Sequence, residues 1–117
     1  MAARNECIFC RIADGGLPAD IVREDELTVA FRDLDPKAPV HVLVVPRRHI
    51  ASVNEVTEAD TNVMGALFVA ARAVAESEGI DASGYRLVMN TGADANQTVH
   101  HVHLHVIGGR SMSWPPG

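Results

Sequence analysis

The chain has 117 residues, an ordinary length for one domain. Its 47% hydrophobic and 21% charged content excludes wholesale disorder. A net charge of -5 argues against nucleic acid as a main partner, and no run approaches the roughly 20 apolar residues of a membrane helix.

The polar start, residues 1–6, lacks the apolar stretch of a signal peptide, so the expected location is cytoplasmic. Cys7 and Cys10 are the two cysteines and stand two residues apart. In a reducing compartment this spacing points to metal or redox chemistry rather than a structural disulfide. Residues 7–13 predict a short helix stopped by Gly15 and Gly16. Residues 21–24 and 27–32 alternate partly around acidic residues, which predicts a hairpin. A turn-rich loop over 33–39 leads to a β-rich run, 40–45, stopped by Pro46 and expected to be a central strand.

The one long helix is predicted over 57–78. Thr57 is its N-cap, Asp60 sits at the capping-box position, and Val63, Leu67, Ala70 and Val74 recur at helical spacing. Gly79 is the stop signal. Phe68 and Met64 lie beside this stripe and are available to an interface. A strand over 85–89, a small polar loop over 91–98 and a last strand over 99–107 complete an α+β domain with a mostly antiparallel sheet.

The last strand carries the main clue. His101-Val102-His103-Leu104-His105-Val106-Ile107 alternates strictly. Val102, Leu104 and Val106 are expected to face the core, and His101, His103 and His105 to face away in a row, about 6.6 Å apart at the backbone. One metal would bridge neighbours but not all three, which suggests divided labour. His100 is expected to point opposite the triad, toward the core. His41 reads as a strand residue at the surface or in a hydrogen bond, and Arg47 and Arg48 as solvated charges. Asn96 suits a loop position that needs a positive φ.

With these residues stand Cys7-Ile8-Phe9-Cys10, Ala30-Phe31-Arg32-Asp33, Pro46-Arg47-Arg48-His49, Asn90-x-Gly92, Gln97-Thr98-Val99 and the tail from Gly108-Gly109-Arg110 through Trp114-Pro115-Pro116-Gly117. In this set the chain resembles the histidine triad (HIT) superfamily, in its HINT-type nucleotide-binding branch.

The resemblance implies a single HIT domain over 1–117, with a HIT-like fold of one long and one short helix on a mostly antiparallel sheet, working as a homodimer. It implies attack at the α-phosphate of a purine nucleotide, AMP-like, in a nucleoside phosphoramidase or acyl-AMP hydrolase. His103 would be the nucleophile, its other ring nitrogen held by the His101 carbonyl, and a nucleotidyl-histidine would be the intermediate. His105 would bond the phosphate, and Gln97 and Thr98 would contact the phosphate or leaving group. Asn90 would sit near the same groups. Asp33 would accept from the ribose hydroxyls, and Leu34, Ile8, Phe9 and Ile12 are candidates for the base slot. Cys7, Cys10, His49 and His101 would hold a structural zinc; no organic cofactor is implied. Trp114 would anchor the tail toward a partner's site. The alternatives are a non-catalytic nucleotide-binding module and a dinucleoside polyphosphate hydrolase.

Overall fold

A computed structural model describes residues 6–117 of the chain. The polar start read above, residues 1–5, lies outside them. The elements are α1 (Ile8–Ala13), β1 (Ile21–Glu24), β2 (Thr28–Arg32), β3 (Val40–Pro46), α2 (Thr61–Ser77), β4 (Tyr85–Val88) and β5 (Leu104–Gly108). The strands form one antiparallel sheet in the order β1-β2-β3-β5-β4. The β1–β2 turn closes on Asp25, whose Oδ1 accepts from the Leu27 and Thr28 amides and whose Oδ2 accepts from the Thr28 hydroxyl.

β3 is apolar at consecutive positions because it is buried on both faces. Val42 and Val44 pack with Leu104 and Val106 against α2, where Leu67, Ala70, Ala71, Val74 and Ala75 are fully buried. Leu43 and Val45 pack on the opposite face with Val29, Phe31 and the buried side of α1. The sheet therefore lies between two helices, and α1 covers the face that carries the odd-numbered residues of β3 and β5.

The long helix differs from the expected 57–78 at its start. Glu58–Asp60 form a 3-10 turn, and the α-helix proper begins at Thr61. The capping box is present: the Thr57 amide donates to Asp60 Oδ2 at 2.9 Å. Asp is one methylene shorter than the usual Glu, and its short reach goes with the tighter turn. At the other end Gly79 takes φ +74, the Ile80 amide reaches the Ala75 carbonyl, and the Gly79 amide reaches that of Glu76. This is the double bond pattern that closes a helix on a left-handed glycine.

The last strand is shorter than the expected 99–107. It begins at Leu104, and 99–103 run irregularly. The register of β3 with β5 would set Pro46 opposite Val102. Proline has no amide hydrogen to give, and its carbonyl is taken by the His101 ring, so the ladder stops there. The Val102 amide turns instead to the Ile50 carbonyl at 2.7 Å.

Leu67 sits fully buried where α2 crosses the sheet. Leu67→Ala is expected to destabilise the fold by about 3 kcal/mol, read from urea unfolding midpoints.

Candidate active site and metal centre

α1 begins on a sulfur: the Cys10 amide donates to Cys7 Sγ at the N-cap. Its buried side presents Phe9, whose ring meets Phe31 edge-on at 5.5 Å and His103 at 5.0 Å. Between α1, the segment 17–20, the end of β2 and β5 lies a cavity of about 280 Å³. Ile8, Phe9, Ile12, Leu17 and Phe31 make its apolar end; Asp33, Thr98, His103 and His105 make its polar end.

The triad does not stand in a solvated row. His101 is fully buried, His103 is 6% exposed, and His105 is half-buried. The face expected to look outward is a second interior roofed by α1, and His103 meets the cavity rather than bulk water.

Hydrogen bonds assign the ring protons. His103 Nδ1 lies 2.7 Å from the His101 carbonyl, which can only accept, so the proton is on Nδ1 and Nε2 keeps its lone pair. For His105 the assignment runs through His41. The Lys37 amide donates to His41 Nδ1 at 3.0 Å, which puts the His41 proton on Nε2. That proton points to His105 Nδ1 at 2.8 Å, so His105 carries its own proton on Nε2. This Nε2 is buried without a hydrogen-bond partner among the described residues, and the ring borders the cavity. The polar end thus holds one nucleophilic nitrogen and one N–H donor on adjacent rings, 5.0 Å between centroids.

Burial favours the neutral form of both rings. It pushes His103 below the ordinary imidazole value, against the pull of the His101 carbonyl and Asp33. It pushes His105 down to about 4, helped by the neighbouring His103 and His41. Burial likewise lowers His41, against the pull of Asp33.

Behind the triad a second cluster gathers. Cys7, Cys10, His49 and His101 place two sulfurs and two ring nitrogens within 4.8 Å of one another. His101 Nδ1 is 3.3 Å from Cys7 Sγ and 3.2 Å from His49 Nδ1; Cys10 Sγ is 3.3 Å from His49 Nδ1. His101 Nε2 donates to the Pro46 carbonyl at 2.8 Å, which turns the Nδ1 lone pair toward the sulfurs. Two thiols and two imidazoles, all buried but the half-buried His49, fit a structural zinc site.

Asp33, His41 and His105 also converge within 4.8 Å. A metal on His41 Nε2 would need the ring proton on Nδ1, where the Lys37 amide already points. This group is a hydrogen-bond chain.

Asp33, Thr98, Ile8, Phe9, Ile12, His103 and His105 all border the cavity, as does Leu34, which at 98% exposure touches only its mouth. Gln97 and Asn90 do not border it. The Gln97 amide is buried and spent on the loop itself: it accepts from the Gly92 amide and donates to the Ala51 and Val99 carbonyls. Three backbone groups claim the side chain expected to contact the phosphate or leaving group, and their bonds brace the loop. His100 is exposed rather than core-facing, since the strand that would have turned it inward begins four residues later. Arg47 is not a solvated charge: it donates to the Asp25 and Ala13 carbonyls and to Glu24. Arg48 pairs with the buried Asp60. Asn96 takes φ 62, the left-handed conformation it tolerates. His41 is on a strand and in hydrogen bonds, as expected, but its place beside His105 was not foreseen. Its signal was position: on β3 it shares a face with Leu43, which pairs with His105.

The family model described as HIT domain matches residues 15–112. A HIT-like protein of Synechococcus elongatus is 48% identical over 112 residues, 96% of this chain and 97% of its own length. A HIT family hydrolase from Legionella pneumophila superposes with a TM-score of 0.93 at 46% identity, covering 95% of this chain and 99% of the other. A zinc-bound histidine triad family protein from Mycobacterium smegmatis superposes with a TM-score of 0.78 at 32% identity, covering 92% and 78%.

Zinc at a hundredfold excess over its Kd is expected to stabilise the protein by about 2.7 kcal/mol, seen as a rise in Tm. The double variant Cys7→Ser, Cys10→Ser should show no such rise, and an unresponsive parent protein would refute the site. Acid should have the opposite effect. Between pH 6.5 and about 4 the unfolded chain takes up protons that His105 in the fold refuses, so stability falls as pH falls. Melting at pH 7, 6 and 5 tests this, with a smaller drop expected for His105→Asn.

Proposed function

The chain belongs to the HIT domain family, and on that premise we propose that it is a hydrolase acting at the α-phosphate of an AMP-like purine nucleotide conjugate, a nucleoside phosphoramidase or acyl-AMP hydrolase. The observation that carries this reading is the proton placement at the cavity wall: a lone pair on His103 Nε2 beside an N–H on His105 Nε2.

The nucleotide lies with its base among Ile8, Phe9, Ile12 and Leu34 and its ribose hydroxyls on Asp33. Apolar side chains suit a purine's ring faces, and the carboxylate is the acceptor two hydroxyls need. His103 Nε2 attacks the α-phosphorus, and the bond from phosphorus to the leaving nitrogen or acyl oxygen breaks. The His105 N–H and the Thr98 hydroxyl bond the phosphoryl oxygens as charge builds on them. The displaced amine leaves with a proton taken from solvent. Water then attacks the phosphorus of the nucleotidyl-histidine, the P–Nε2 bond breaks with its electron pair returning to Nε2, and the water's proton goes to solvent, which releases AMP and restores His103 as its Nδ1-protonated tautomer. The His101 carbonyl holds that tautomer through both steps and favours the charged ring of the intermediate. Gln97 acts by bracing the loop that presents Thr98, and Asn90 has no assigned contact.

Zinc on Cys7, Cys10, His49 and His101 would supply a structural cross-link between α1 and the segment leading into β5. The reaction proceeds on protein groups alone. The working unit is a homodimer of one-domain chains in the cytoplasm. Exposed Phe68 and Val69 on α2 and exposed Trp114 offer the apolar surface a second copy would cover.

His103→Asn is expected to lower turnover of an adenosine phosphoramidate by roughly a thousandfold or more while AMP affinity stays within a few-fold. Mass spectrometry of protein quenched during turnover should find an adenylyl adduct on His103. Turnover undiminished in the variant would sink the mechanism.

A further inference from the structure

His41 is 6% exposed and has one ring proton to give. The Lys37 amide occupies its Nδ1, so the proton sits on Nε2. Two acceptors face that proton: His105 Nδ1 at 2.8 Å and Asp33 Oδ2 at 3.4 Å. The Asp33 amide in turn donates to the His41 carbonyl at 3.0 Å, so main chain and side chains hold the two residues together. The other Asp33 oxygen accepts from the Asp35 amide. One donor thus stands between the carboxylate read above as the ribose acceptor and the histidine read as the phosphate donor, both on the cavity wall.

We propose that His41 couples ribose recognition to the orientation of the phosphate-side donor, so that the sugar hydroxyls raise the rate of the chemical step as well as affinity. The inference rests on the reading of Asp33 as the ribose acceptor. With the site empty, Asp33 and His105 compete for the single His41 proton. Hydroxyls that donate to Asp33 spread its charge and weaken its hold on that proton. The proton then serves His105 alone, and His105 is fixed with Nε2–H aimed at the cavity. A substrate without the hydroxyls leaves the competition in place, and His105 spends part of its time misaligned. His41 touches no reacting atom; it is a positioning residue that makes the site selective for ribonucleotides at the transition state.

His41→Gln tests the coupling. The Gln amide nitrogen carries two hydrogens, one for each acceptor, so the competition ends while both contacts can persist. Single-turnover rate and KM are measured for adenosine phosphoramidate and its 2′,3′-dideoxy analogue. In the parent protein loss of the hydroxyls is expected to raise KM and slow the saturated single-turnover rate about tenfold, the worth of one charge-assisted hydrogen bond. In His41→Gln the KM effect should remain and the rate ratio should fall close to one. Equal rate ratios in the two proteins overturn the coupling. A KM effect with no rate effect in the parent also overturns it, while leaving Asp33 as the ribose acceptor. No effect on either parameter overturns that assignment of Asp33, and the coupling with it. If the variant does not fold, imidazole 15N spectra of the parent protein decide. The His105 Nε2–H tautomer should gain population with AMP and not with 2′,3′-dideoxy-AMP; identical spectra with the two ligands count against the proposal.

Discussion

His101 is gripped at both ends, and the site depends on that grip. Its ring lies fully buried among Cys7, Cys10 and His49, with the far nitrogen on the Pro46 carbonyl. Its own carbonyl holds His103 Nδ1. The residue lies in an irregular stretch before β5, where no ladder bond would otherwise fix it. The side-chain cluster adds to the Val102–Ile50 backbone bond in fixing residues 101–103 ahead of the strand. A group that sets the tautomer of His103 must not drift, and a cluster of four side chains, three of them buried, is a stiff mooring for it.

The same burial sets the charge state of the polar end. An imidazolium in this interior would lose its hydration with too little opposite charge nearby, so His103 and His105 stay neutral and their roles are set by proton position. Position is controlled from outside these two rings, by the Lys37 amide through His41 and by the His101 carbonyl. The proposed phosphoryl chemistry thus asks only for neutral donors, and the net charge of -5 does not oppose it at close range.

Much of the architecture was readable along the chain because its signals are local. Leu67, Ala70 and Val74 recur at helical spacing, Gly79 supplies the left-handed stop, and Pro46 ends β3. The site was legible where spacing and residue type meet, as in His101, His103 and His105 or Cys7 with Cys10. Reading failed where a distant group intervened. The strand expected from residue 99 begins at Leu104 because Pro46, far away in sequence, has no amide hydrogen and lends its carbonyl to His101. Gln97 looked like a phosphate ligand, but the Ala51 and Val99 carbonyls and the Gly92 amide consume it.

By itself, the order of residues determined the α+β elements, the apolar stripes that cover the sheet, and the alternation that puts the triad on one face. Those follow from backbone periodicity and nearest neighbours in the chain. Tertiary structure alone decided that this face is an interior roofed by α1, that His41 completes the proton chain, and which nitrogen carries the proton on His41, His103 and His105. The reason is that an imidazole's two tautomers have nearly equal energy in water. Only partners brought in from remote parts of the chain separate them.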